Sequence, residues 1–203
     1  MIYAAPSTDR VQIRLSFVAP SGSGKSSAVN CLAERLQAIG LTVAVLKLAD
    51  PLYRLQSIYY DVVGQHLDVD SQDQILMETI ATQLRRIDPE VLANDFQRRL
   101  TACAADVVLN DDLRDDQIDA VRLRALGFKV VRVATSESVR LARLNSRNDP
   151  SIVTDSPLDR QVSRIPADFV IPNSAPGLEA LDRQIAALSR HIIASNQPLG
   201  AIR

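Results

Sequence analysis

Tryptophan is absent from the 203-residue chain, and histidine, cysteine and methionine occur only twice each. Lysine is nearly as scarce: of 23 basic residues only Lys25, Lys47 and Lys129 are lysines, so the positive charge is carried by arginine. Cys31 and Cys103 stand alone, without the paired spacing of a zinc site or a secretory disulfide framework, and read as free, buried thiols. Seven Gly and ten Pro are too few and too scattered for a collagen-like or low-complexity chain. The formal net charge of −1 provides no broad basic field for a nucleic-acid polymer. No apolar run approaches the roughly 18–20 residues that a bilayer-spanning helix requires. The first residues lack a basic-then-apolar leader, so the expected location is the cytoplasm.

What remains is an ordinary globular composition, 46% hydrophobic and 23% charged, on a chain of single-domain length. Residues 11–18 alternate apolar and polar types as a strand does. Residues 25–39 place Val29, Leu32, Ala33 and Leu36 at helical spacing, with Gly40 just beyond. Residues 42–48 form a second, more continuous apolar run suited to a strand buried on both faces. Helical patterns follow at about 51–64, 71–86 and 89–102. Strand patterns return at 105–110 and 128–133 around a helix at 115–126. A helix over 136–147, a Pro/Ser/Asp-rich loop to Asp159, a strand at 168–171 and a helix over 178–194 complete the chain. The expectation is an α/β domain spanning 1–203, with five parallel strands flanked by helices. Residues 51–103 would be a helical substrate-binding insertion and 136–159 a lid.

The strongest local signal is Ala19-Pro20-Ser21-Gly22-Ser23-Gly24-Lys25-Ser26, which matches G-x-x-x-x-G-K-[ST] except for its first residue. It lies between a strand and a helix, where loop N–H groups and the helix N-terminus converge on phosphate oxygens. The reading is therefore a P-loop NTPase fold that binds ATP and Mg²⁺. Gly22, Ser23, Gly24, Lys25, Ser26 and Ser27 are the nucleotide-binding candidates. Lys25 would compensate phosphate charge, and Ser26 would complete the metal's coordination. Asp111-Asp112-Leu113-Arg114 follows the strand at 105–110, at the strand end where open α/β sheets bind ligands. A carboxylate of this pair can hold the metal, directly or through water, and Arg114 aims its fork at an anionic group. Arg140, Arg143 and Arg147 share a helix face ahead of the Pro/Ser/Asp loop and are candidate lid arginines. Asn173 is a candidate contact on the adenine side.

Taken with the P-loop, Ala49-Asp50-Pro51-Leu52, Asp111-Asp112-Leu113-Arg114, Gln74-Ile75-Leu76-Met77 and Arg85-Arg86-Ile87-Asp88-Pro89 occur in an order that resembles P-loop deoxynucleoside monophosphate kinases. The resemblance runs over about 11–180. It implies transfer of the ATP γ-phosphoryl group to a nucleoside monophosphate. By this resemblance Asp50 would contact the acceptor nucleoside, Arg54 and Arg85 or Arg86 its phosphate, Gln74, Asp112 and Arg114 would complete the acceptor site, and Asp112 would also serve the metal. An acceptor phosphate is already nucleophilic at neutral pH, which agrees with the lack of a histidine in these motifs.

The same P-loop and lid would serve a kinase for another phosphorylated small molecule or specialised metabolite, phosphomevalonate being one example. A hydroxyl acceptor would then call for a carboxylate base, with Asp50 or Asp112 as candidates. A non-catalytic ATP-binding module would need neither lid nor substrate helices. A GTPase switch is disfavoured, because Asp61-Val62-Val63-Gly64 lies in a helical pattern and no [NT]-K-x-D segment exists. Neither a membrane nor a nucleic-acid partner is expected, and a homodimer is left open.

Overall fold

The computed structural model describes residues 11–68, 71–146 and 157–196. In chain order the elements are β1 (Ile13–Val18), α1 (Lys25–Ala38), β2 (Val43–Val45), α2 (Asp50–Val62), α3 (Gln74–Ile87), α4 (Val91–Thr101) and β3 (Val107–Asn110). There follow α5 (Asp119–Ala125), β4 (Lys129–Ala134), α6 (Glu137–Asn145), α7 (Pro157–Arg164), β5 (Phe169–Pro172) and α8 (Glu179–Asn196). The five strands form one parallel sheet in the order β2-β3-β1-β4-β5.

Alternation along each strand divides the core. Leu15, Phe17, Val107, Leu109, Val131 and Val133 face the layer of α1 and α8, where Leu32, Leu36, Ile185 and Ile192 cover them. Val18, Val108 and Val130 face the other way, onto Phe96 and Leu100 of α4, Leu123 of α5 and Val162 of α7. A smaller third cluster, Leu52, Met77, Ile80 and Leu92, joins α2, α3 and α4 beside the sheet.

Among the boundaries that differ from the sequence pattern, those of β2 and α5 bear on the site. β2 stops at Val45, because the chain makes one more ladder bond from Leu46 N to the Leu109 carbonyl and then bends toward α2. α5 starts four residues later than the acidic run suggests. Asp115 spends one carboxylate oxygen on the backbone N–H groups of Gln117, Ile118 and Asp119, which holds a turn ahead of the helix. α7 was read as loop at its start and has no counterpart in the pattern. Among the described side chains of that stretch, Val162 and Ile165 are buried against the core, too few to mark a helical face.

At the C-terminal edge, polar side chains stitch the three strands that matter most for the site. Ser16 Oγ donates to Asn110 Oδ1 at 2.8 Å, and Asn110 Nδ2 donates to the Leu46 carbonyl at 3.0 Å. Both side chains are fully buried, so the ends of β1, β3 and β2 are fixed relative to one another.

Candidate active site

The loop between β1 and α1 turns on two glycines with positive φ, Gly22 at 82° and Gly24 at 89°. Gly24 also caps α1. A Cβ on Gly24 would come within 2.4 Å of Asn173 Nδ2, and one on Gly22 within 2.7 Å of Leu144 Cγ and 2.8 Å of the Arg140 carbonyl. The loop is therefore clasped from outside by α6 and by the residue that follows β5. Thr135 Oγ1 and Asn173 Nδ2 both donate to the Ser23 carbonyl at 2.9 Å. Asn173, expected on the adenine side, is buried, and its amide holds the loop.

Lys25 is buried, and its Nζ donates to the Ala19 carbonyl at 2.6 Å and the Pro20 carbonyl at 3.2 Å. Ser26 Oγ donates to Asp111 Oδ2 at 2.8 Å. The other oxygen of Asp111 is buried and has no hydrogen-bond partner among the described residues. A hydroxyl and a carboxylate with an uncommitted buried oxygen are the hard oxygen donors that Mg²⁺ takes. The carboxylate beside Ser26 is thus that of Asp111, whereas the resemblance places the metal at Asp112. Successive residues leaving an extended strand point in opposite directions. Asp112 turns toward β2, where its carboxylate accepts from Leu48 N and Ala49 N at 2.8 Å and from Asn110 Nδ2 at 2.6 Å. Burial pushes its carboxyl above the usual range, opposed chiefly by the Ala49 N–H. Ser27 is exposed and does not reach the cleft.

The arginines divide by role. Arg114 Nη2 donates to Ser21 Oγ at 3.0 Å at the rim of the loop. Arg140 is buried, with a forked pair on Glu137 at 2.9 and 2.6 Å and a bond to the Ser21 carbonyl at 3.3 Å, and so braces α6 against the loop. That pairing holds the exposed Glu137 carboxyl below its ordinary range. Arg143 lies beside Gly24, and its Nη1 is buried without a hydrogen-bond partner among the described residues. Arg147 lies outside the described residues.

From this corner a cleft of about 420 Å³ opens between the loop and α2, α3 and α4. Its apolar wall is Leu48, Leu52, Tyr53, Met77, Ala81 and Leu92, and its polar groups include Lys47, Gln72, Gln74, Glu78, Thr82 and Arg85. The volume suits a small-molecule ligand. Gln74 and Arg85 are the acceptor candidates that the fold brings here, with Arg114 and Asp112 at its edge. Asp50, Arg54 and Arg86 do not line it. Asp50 and Arg54 pair with each other at 3.7 Å on the half-exposed side of α2, and Arg54 also reaches Asp95. Leu52 and Tyr53 take the inward face of that helix. Arg86 is exposed and bonds Gln83 within α3.

Lys47 belongs to none of the motifs. The bend after β2 carries it into the cleft, with Nζ 5.1 Å from the centroid of the Tyr53 ring. Its carbonyl accepts from Arg99 Nη2 at 2.6 Å, so Arg99, which reads as surface charge in the sequence, supports this bend. Lys47 and Arg114 have no carboxylate partner among the described residues. The signal available in sequence was the rarity of lysine, with one of three placed just before Ala49-Asp50-Pro51.

Comparison with known proteins agrees at the level of fold. No family model matches the chain, and no curated protein matches it. Among solved structures, a shikimate kinase from Acinetobacter baumannii in complex with shikimate is 17% identical with TM-score 0.52, over 93% of this chain and 97% of that one. A shikimate kinase from Bacteroides thetaiotaomicron is 10% identical with TM-score 0.53, over 90% and 99%. A putative kinase from Chloroflexus aurantiacus is 14% identical with TM-score 0.52, over 93% and 100%. The chain has a P-loop kinase fold. Its five-stranded parallel sheet and flanking helices are the architecture expected from the sequence, and no helix of the described residues is long and apolar enough to cross a membrane.

Proposed function

We propose that the protein is an ATP-dependent phosphotransferase whose acceptor is a small anionic molecule bound in the cleft beside the P-loop. The observation that carries this reading is continuity. The Lys25 and Ser26–Asp111 corner opens directly into an amphipathic cleft where two of the lining cations, Lys47 and Arg114, lack carboxylate partners among the described residues. A binding module would need the first feature and not the second. Ser26 and Asp111 would hold Mg²⁺, which when bound neutralises phosphate charge and orients the γ-phosphoryl group. Lys25 would leave its loop carbonyls for the phosphates, and the Arg143 N–H beside Gly24, which has no partner among the described residues, would compensate charge on the transferred group. An acceptor oxygen forms the new bond to phosphorus as the bond to the ADP leaving oxygen breaks.

A nucleoside monophosphate is the narrower reading. What favours it is the sleeve of Leu52, Tyr53 and Met77, which a base could enter. Against its detailed form, Asp50, Arg54 and Arg86 face away from the cleft. A non-nucleotide acceptor such as the one named for the shikimate kinases fits the same cleft. The test is ADP release from ATP–Mg²⁺ with a panel of ribo- and deoxyribonucleoside monophosphates, shikimate, phosphomevalonate and no acceptor. Acceptor-dependent release is expected. ATP binding without release on any acceptor would move belief to the binding module.

A further inference from the structure

Asp119 is the first residue of α5, 3% exposed, and it reaches the cleft opposite α3. Its Oδ2 holds Arg85 Nη2 at 2.6 Å. Its Oδ1 is buried in the cleft wall and has no hydrogen-bond partner among the described residues. A desolvated carboxylate oxygen without a donor is costly, so a fold retains one where something else supplies the donor. At Asp111 the neighbouring Ser26 and phosphate loop supply a reason. No such reason exists at Asp119, because it faces the acceptor side and its only described ion partner is Arg85. A second acceptor atom in the same wall repeats the pattern: Gln161 of α7 lines the cleft, and its Oε1 is buried and also lacks a partner among the described residues.

We propose that Asp119 is a specificity residue for the acceptor, its Oδ1 accepting a hydrogen bond from a hydroxyl or amino group of the bound molecule while Arg85 fixes the carboxylate's orientation. The acceptor class is thereby narrowed to anions that also carry a hydrogen-bond donor. The anionic group meets Lys47 and Arg114, and the donor meets Asp119. Arg85, assigned by resemblance to the acceptor's phosphate, becomes a positioning residue, because one arm of its fork is already committed to Asp119.

This proposal rests on the phosphotransferase reading but fails separately from it. The experiment measures binding of a fluorescent ATP analogue, and acceptor KM and kcat by ADP release, for the wild type and Asp119→Asn. The probes are shikimate, the nucleoside monophosphates and phosphomevalonate, each paired with an analogue in which one hydroxyl is removed or O-methylated. Expected for Asp119→Asn is an acceptor KM raised roughly 10- to 100-fold, ATP-analogue binding within about twofold of wild type, and kcat changed far less than KM. In the wild type, one hydroxyl-deleted analogue is expected to show a loss of the same size. Should Asp119→Asn fail to fold with Arg85 left unpaired, the double variant Arg85→Gln, Asp119→Asn removes both charges, and the wild-type analogue series needs no variant at all. If no probe distinguishes wild type from the variants and no analogue loses affinity, the proposal is overturned while ATP binding still upholds the nucleotide site. Loss of ATP-analogue binding by the wild type would instead refute the phosphotransferase reading.

Discussion

Gly24→Ala tests whether the phosphate loop is clasped by Asn173. The substitution places a Cβ 2.4 Å from Asn173 Nδ2 at a backbone φ of 89°. A non-glycine residue held at such a φ costs about 1–3 kcal/mol. Moving the Asn173 amide aside forfeits its bond to the Ser23 carbonyl, about 1 kcal/mol for a buried neutral pair. The single variant should therefore lose about 2–4 kcal/mol, a Tm fall of roughly 2–4 °C per kcal/mol for a chain of this size. Asn173→Ala alone should lose about 1 kcal/mol, since Thr135 still donates to the same carbonyl. In the double variant the clash has no object, so the loss should fall short of the sum by about 1 kcal/mol. Urea denaturation of the four proteins measures the cycle. Additivity within about 0.3 kcal/mol would refute the clasp and return Asn173 to the nucleotide's base side. ATP and GTP affinities of Asn173→Ala supply a second check: a loop brace weakens both alike, whereas a base contact weakens one.

Asp111→Asn is expected to raise the Mg²⁺ concentration needed for half-maximal turnover and to lower kcat on the order of 100-fold. Asp112→Asn should instead act on stability, through its bonds to Leu48 and Ala49, and unchanged Mg²⁺ dependence in Asp111→Asn would reverse the two assignments. Lys47→Met should raise acceptor KM by about tenfold while Asp50→Asn leaves it within twofold, and the opposite order would reinstate the assignments that the resemblance implies. Burial, reinforced by a bond to Asp182, pushes the Cys31 thiol up to about 11, so its alkylation by iodoacetamide in the folded protein should reach half-maximal rate near that pH, and Asp182→Asn should shift the profile downward. Asp182 itself is held below the usual carboxylate range by Arg35. The stability from this α1–α8 tie is present above the ordinary carboxylate pKa and lost as pH falls through the lowered one, so Asp182→Asn should flatten the acid limb of Tm against pH.

What could be read from sequence was set by how local the determinant is. The phosphate loop depends on eight consecutive residues and on the strand and helix beside it, and alternation along β1, β3 and β4 places the sheet without knowledge of distant contacts. The acceptor side depends on the rotational phase of helices. Asp50 and Arg54 are one turn apart and so share a face, but which face meets the cleft is decided by Leu52 packing with Met77, Ile80 and Leu92 on two other helices. No pattern within α2 contains that information. The Asp111–Asp112 pair shows the same limit at one residue's resolution. Either carboxylate satisfies the motif, and the choice falls to Asn110, whose amide is committed to Leu46 and Asp112 and so ties the second carboxylate to β2, leaving the first to Ser26. Asp119 was invisible for a related reason. An acidic residue in the first turn of a helix is well explained by the helix dipole alone, and only the burial of one oxygen without a donor separates a residue that stabilises α5 from one that waits for a ligand.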